Sequence, residues 1–387
     1  MKTTSSVLAL ENLAAQIASA EQLQNDPTRG ADARVRLISL LLMRGQILGR
    51  IGDWERAETL ADEAVKRTPD AAAFIARAST RSVFHRFTEA LADLSAAEKL
   101  GISKEETAWE RAVVAQATGD LALAEKLRTP VITARPTTRG LATMATLAAE
   151  RGDLPAAEQL LLQARAKFLD VSPFPLATLE LQEGLMYERA GSLSKARASY
   201  AAAHARLPEH AAVASHLAGV LSATGEAVEA ERILRALVAS QTDDPEYVGQ
   251  LADLLVRTHR EAEAAPLRDR ARLRYEEILK AHPAAYAAHA ARFYLGVNRV
   301  RAAELAELAL QNRPVDESWE LVLSSLPTTD AGDKKRACTR ADQAVSRPAA
   351  GPRLRLLAAA LFSACGDAAR SQAETERAMH PGPIARR

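Results

Sequence analysis

Three arginines recur at a near-constant interval early in the chain: Arg44, Arg77 and Arg111, 33 and then 34 residues apart. Guanidiniums brought side by side at the usual helix spacing of about 10 Å would form a rail for an acidic ligand. Alternatively, nearby carboxylates such as Glu58, Glu63 or Glu98 pair with them and remove the cost of burying a charge. Trp109 and Trp319 are candidate partner-binding residues of another kind, because an indole in a recessed surface anchors a ligand. For both, the competing reading is packing between helices. The histidines 204, 210 and 216 fall six apart, on different helix faces or on the turn, and no H-E-x-x-H or C-x-x-C accompanies them. No metal and no cofactor is expected. The sequence has no G-x-G-x-x-G, P-loop or G-x-S-x-G, and its acidic residues are spread rather than paired in a cleft, so it is expected not to be an enzyme.

Composition narrows the class. The 387 residues are 48% hydrophobic but only 4% aromatic, and 82 are alanine. Such a chain suits helices packed closely through small side chains. Fifty basic residues against 49 acidic ones leave no global field for nucleic acid or an anionic membrane. The segment from Ala331 to Arg387 carries 11 Lys or Arg against 5 Asp or Glu; without interleaved aromatics it reads as a solvated surface rather than a base-stacking one. Two cysteines, Cys338 and Cys365, are too few for a disulfide framework and favour a reduced, cytoplasmic setting. No stretch approaches 18 uninterrupted apolar residues, and polar breaks at Glu11, Asn12 and Gln16 argue against a signal peptide.

The elements that position these residues emerge from an internal period. Taking Ala196 as reference, equivalents stand at Ala57, Ala90, Ala124, Ala157, Ala230, Ala264, Ala303, Ala337 and Ser371. Successive spacings are 33 or 34 residues, except for two of 39. Twelve residues before each, every position is small: Gly45, Ala78, Ala112, Ala145, Gly184, Ala218, Ala252, Ala291, Ser325 and Ala359. Five before, Gly fills seven places (Gly52, Gly119, Gly152, Gly191, Gly225, Gly332, Gly366) and Asn298 an eighth. Small columns let two antiparallel helices approach. A Gly column supplies a left-handed exit from the first helix. The following Asp53, Asp120, Asp153, Ser192, Asp333 and Asp367 suit N-caps of the second, and Ser103 to Glu106 reads as a capping box. Each 39-residue spacing predicts an extended second helix, over 156–169 and 261–281. Pro327 to Gly332 predicts a longer loop in the ninth unit.

Residues Ala177 to Pro208 show the unit best. Gly184, Tyr187, Gly191, Ala196, Tyr200, Ala203 and Pro208 follow in an order that resembles the tetratricopeptide repeat, a 34-residue helix-turn-helix unit. The resemblance covers about ten tandem copies. It implies an all-α fold, a right-handed α-solenoid whose first helices form a concave wall that receives a peptide or a partner's helix. The expected organisation is a capping helix and loop over 1–30, repeats over 31–381 in blocks 31–173, 174–283 and 284–381, and a disordered tail over 382–387. The family's clamp of Lys and Asn on successive first helices is missing: its positions hold Leu42 and Gln46, Ile75 and Ser79, Trp109 and Val113, Ala142 and Thr146. The function expected is therefore a protein- or peptide-binding scaffold of another kind, cytoplasmic, with no nucleic acid or membrane partner. Self-assembly, or sensing of a small ligand or signalling peptide, are the alternatives.

Overall fold

Alanine carries no side-chain entropy cost in a helix, and the described chain is helical from end to end. The computed structural model describes residues 2–347 and 350–379; the tail 382–387 lies outside them. A single helix α1 (Ser6–Leu23) precedes the pairs. The first five pairs are α2 (Gly30–Leu48) with α3 (Ile51–Arg67), α4 (Ala71–Val83) with α5 (Phe87–Lys99), α6 (Lys104–Ala117) with α7 (Leu121–Ala134), α8 (Thr138–Glu150) with α9 (Leu154–Ala166), and α10 (Pro173–Arg189) with α11 (Leu193–Arg206). Then come α12 (Ala211–Ala223) with α13 (Ala227–Val238), α14 (Pro245–Arg257) with α15 (Glu261–Ala281), and α16 (Pro283–Tyr294) with α17 (Arg299–Asn312). The last two pairs are α18 (Asp316–Ser325) with α19 (Ala331–Val345), and α20 (Pro352–Ala364) with α21 (Ala368–Met379). Ten antiparallel pairs in file make an all-α solenoid.

The small columns do the work expected of them. A Cβ added at Gly184 would meet the Tyr200 ring at 2.3 Å, and one at Gly45 the Trp54 indole at 2.4 Å. Each glycine thus lets an aromatic of the second helix lie against the first. Ala57, Ala90, Ala124, Ala157, Ala196, Ala230, Ala264 and Ala337 are buried, whereas Ala303 and Ser371 at the same column are half-buried.

The turn chemistry differs from expectation in three places. Gly52 and Gly332 lie inside α3 and α19, and Asn298 is an extended N-cap with φ −151°. In the first pair the left-handed residue is Gly49 instead. In the second and seventh pairs the column is filled by His85 and His259, at φ 56° and 59°. Asp120, Asp153 and Asp367 cap their second helices through side-chain acceptance. Asp53 and Asp333 instead lie within helices, while Ser192 holds the N-cap place without such a bond. The capping box at Ser103 and Glu106 is formed in both directions. The second 39-residue spacing does extend its helix, to the 21 residues of α15. The first does not: α9 stops at 13 residues, and the added length forms the loop 167–172 and a 17-residue α10. Phe174 enters the core beneath α1 there, a use for the added length that periodicity cannot show.

The solenoid winds back onto itself with a step of six pairs. At the start, Thr4 N donates to Val171 O at 2.8 Å and Ser6 Oγ to Glu209 at 3.1 Å. The turn of the first pair then meets the loop before the seventh: Gly49 O accepts from Thr242 Oγ1 at 2.7 Å and from Asp243 N at 3.2 Å. The turn of the second meets the start of the eighth, where Phe84 and His282 stack with centroids 3.7 Å apart. The turn of the third meets the ninth, with Arg313 Nε donating to Ala117 O at 3.3 Å. Ile51 and Phe84 accordingly share one hydrophobic cluster with Tyr275, Ala285 and Phe293. Neighbouring superhelical turns therefore touch along a seam, and the first helices enclose an interior.

Candidate partner-binding surface

The three arginines of constant spacing are engaged by carboxylates. Arg44 binds Asp53 through two nitrogens, Nε at 2.7 Å and Nη2 at 2.6 Å. Arg77 binds Asp93 in the same manner at 3.0 and 2.7 Å and reaches Asp62 at 3.4 Å. Arg111 donates to Glu98 at 2.8 Å and to Ser95 at 3.0 Å. Hydrogen bonds to these carboxylates hold Arg44 and Arg77 above the usual guanidinium range. Of the three acids within reach by sequence, only Glu98 takes this role; Glu58 pairs with Arg86. The acceptors stand on second helices, so the arginines tie helix to helix.

Trp109 is half-buried against Ile132, Leu141, Ala142 and Ala145, with the guanidiniums of Arg139 and Arg128 5.1 and 5.6 Å from its ring centre. Trp319 joins two hydrophobic clusters beneath Arg340, whose guanidinium lies 4.9 Å from the ring centre. Trp54 donates to Leu42 O at 3.1 Å and packs against the cluster that holds Ile51 and Tyr275. Among the described residues, no group of three His, Cys, Asp or Glu could hold a metal ion.

A different row of side chains faces the interior. Glu246 on α14 accepts from His289 on α16 at 2.7 Å, and Arg292 on α16 donates to Glu317 on α18 at 2.6 Å. These four keep between 22% and 45% of their side-chain surface open. Desolvation is nonetheless the largest single influence on the ionisation of each. The four thus keep contact with water while other protein groups crowd them. The same combination recurs on other first helices: burial raises Glu110 on α6, Glu150 on α8, Asp253 on α14 and Glu320 on α18. Burial also opposes the charge of Glu317, but Arg292, Arg313 and His289 outweigh it and bring its carboxyl to about 2. His289 is pushed down by desolvation and lifted further by the Glu246 carboxylate, for a net rise. Arg353 on α20 continues the row, with Glu320 at 3.0 Å.

Sequence reasoning passed over this row, although a signal existed. The position two residues before the small column reads Glu110, Thr143, Gln182, His216, Gln250 and His289 in the third to eighth pairs. It is polar six times in succession.

Cys338 on α19 and Cys365 at the end of α20 form a disulfide, with Cα atoms 6.5 Å apart. This corrects the expectation of two unlinked thiols: the pairing brings together positions 27 apart in sequence, which spacing alone does not reveal.

No curated protein matches the chain in sequence. Solved structures share its helical architecture. One is the structure of Naa15/Naa10 bound to HypK-THB, at 19% identity and TM-score 0.32, covering 96% of this chain and 64% of that one. The chain thus spans just under two thirds of that relative. A tetratricopeptide repeat protein from Parabacteroides merdae ATCC 43184 matches at 17% identity and TM-score 0.37, over 63% of this chain and 93% of that one. Yeast Tom70 matches at 12% identity and TM-score 0.41, over 97% and 93%. The family model described as tetratricopeptide repeat matches residues 188–254, which run from the end of α10 into α14. The chain thus carries a segment that matches the tetratricopeptide repeat, set in a continuous file of like helix pairs.

Proposed function

We propose that this protein is a non-catalytic scaffold that holds a segment of a partner protein inside its superhelix, against the first helices of the seventh to tenth pairs. One observation carries the reading: Glu246, His289, Arg292 and Glu317 form a desolvated yet open row on adjacent first helices. Acids and bases alternate along it, so the segment that fits is one carrying both charges, extended or helical, rather than a polyanion. The arginines of constant spacing act in this reading as ties between helices, and Trp109 and Trp319 as packing residues beside the wall.

A photo-crosslinking residue at Gln250, inside, and another at Leu162, on the exposed face of α9, test it. Partner adducts from position 250 and none from 162 are expected; adducts from 162 alone would overturn the reading. Self-association is the competing reading, and concentration-dependent mass in light scattering would favour it. No helix among the described residues is long and apolar enough to cross a membrane. We place the protein in the cytoplasm, and the Cys338–Cys365 bond is the observation that weighs against this, since a reducing compartment keeps such pairs open. Thiol labelling after acid quench of intact cells checks this, and an oxidised pair would argue for an oxidising compartment.

A further inference from the structure

The third pair departs from the arginine ties of its neighbours. In the second pair Arg77 and Arg81 both bind Asp93, which lies three residues after the small Ala90 of α5. The same positions of the third pair hold Arg111, Ala115 and Leu127. The first arginine remains, and apolar side chains replace the carboxylate and the second guanidinium. Asp120 stands where Asp53 serves Arg44, but its carboxylate accepts from Leu123 N at 3.0 Å instead. Arg111 turns back to the preceding helix, Nε donating to Glu98 and Nη2 to Ser95. Its Nη1 bonds to no group among the described residues, and 24% of the side chain stays open. Where the tie is missing, a groove of about 480 Å³ opens between α5, α6 and α7. Buried Val114 and Ala115 form its floor, and Leu91, Leu123 and Leu127 its walls.

We propose that this groove binds an aliphatic carboxylate, its chain laid on the leucines and its head group against Arg111 and Lys104.

Helices α5, α6 and α7 run alternately up and down, which orders the lining along the groove. Glu98 and Lys104 mark one end, Arg111 follows, and the leucines reach toward Thr118 and Asp120 at the other. Arg111 and Thr118 are seven positions apart, about 10 Å at the rise of a helix, which suits a chain rather than a single methyl. The volume lies within the roughly 300–1,000 Å³ of small-molecule sites. Leu123 is 42% exposed, so a chain that covers it removes apolar surface from water. The charges select the head group. Lys104 pairs with no carboxylate among the described residues, and Arg111 has donors to spare. The single carboxylate at that end, Glu98, is already engaged by Thr107 at 2.6 Å and by Arg111 at 2.8 Å. The surplus there is cationic, while Asp120 repels an anion from the far end. The groove opens between two second helices, whereas the interior row stands on first helices, so the two sites can be tested apart.

Isothermal titration calorimetry of the full chain with decanoate, decanol and decyltrimethylammonium separates charge from chain. Decanoate should bind saturably, one per molecule. The neutral and cationic probes should bind at least about tenfold more weakly, the factor that one charge-assisted hydrogen bond commands. Lys104→Gln, on the surface, should weaken decanoate a few-fold and leave the melting temperature in place. Ala115→Arg combined with Leu127→Asp rebuilds the second pair's tie inside the groove. That double variant should abolish binding while circular dichroism shows the helicity of wild type, and Lys104→Gln carries the test if it folds poorly. Equal affinity for the three probes would overturn the proposal, as would the absence of saturable decanoate binding or binding unchanged by either variant.

Discussion

Asp243 caps helix α3 across a superhelical turn. Its carboxylate accepts from the amides of Ile51 and Gly52, residues 192 and 191 positions earlier in the chain. The first amides of a helix have no intrahelical partner; in α3 that need is met by the seventh pair, since neither Arg50 nor Asp53 caps it. Asp243→Ala should cost about 1–2 kcal/mol, the range for loss of a good N-cap. Urea denaturation measures the loss, and Asp243→Asn should recover part of it by restoring one acceptor. Amide exchange at 50–53 should rise in the alanine variant, and equal protection in both proteins would show that the cap contributes nothing.

Asp93 is the most heavily used carboxylate of the early repeats. It is nearly fully buried and receives two bonds from Arg77 and one from Arg81. Removing it leaves two partly buried guanidiniums facing each other, so Asp93→Ala should lose stability toward the lower end of about 3–5 kcal/mol. Replacing Arg77 with Met alongside Asp93→Leu should regain much of that. A thermal melt of wild type, Arg77→Met, Asp93→Leu and the double variant gives the coupling.

Gly184 and Tyr200 set the closest approach in the fifth pair. Because an added Cβ would lie 2.3–2.8 Å from ring atoms, Gly184→Ala should overpack the site and cost about 1–3 kcal/mol. Tyr200→Leu in the same chain should relieve it partly, despite losing the phenol's bond to Glu188 at 2.6 Å. Equal melting temperatures for wild type and Gly184→Ala would show that the two helices simply move apart.

His259 takes the same left-handed backbone as His85, φ 59°, but its side chain is exposed with no seam contact to lose. His259→Gly removes the conformational cost of about 1–2 kcal/mol and returns some chain entropy to the unfolded state. A net gain of about 0.5–1 kcal/mol in chemical denaturation is expected.

The Cys338–Cys365 bond closes a loop that contains all of α20 and the last half of α19. Chain-entropy reasoning gives such a loop about 3–4 kcal/mol. Differential scanning calorimetry with and without reductant should show an earlier transition in the reduced chain, and Cys338→Ser should copy it. A single transition unmoved by reductant would show the bond to be energetically silent.

Architecture was open to sequence reading wherever one residue type has one cause. A glycine that admits Tyr200, an alanine under a neighbouring helix and a serine in a capping box are local demands, each met within a single repeat or its neighbour. Gly52 and His85 show where local logic stops. Both occupy the turn column, yet Gly52 lies in a helix capped by Asp243, and His85 takes the glycine's conformation beside Ala284. In both cases the deciding partner lies about 190–200 residues away. Periodicity reports neighbours in the file and carries nothing about the next superhelical turn. The interior row was hidden for a related reason. Glu246, His289, Arg292 and Glu317 look like ordinary solvated helix residues until the wall opposite them is known.

The six-pair step also changes how the molecule comes apart. A repeat array with contacts only between neighbours melts as a row of loosely coupled units, its ends fraying first. Here the first three pairs are also held by the seventh, eighth and ninth, through contacts such as Thr242 on Gly49 and His282 on Phe84. Each such contact closes a loop of nearly 200 residues, the kind of non-local pairing that slows folding and sharpens unfolding. Deleting the last repeats should therefore loosen the beginning of the chain as much as its new end. Unfolding of the intact molecule should approach a single cooperative event, with the circumference rather than the single repeat as its unit.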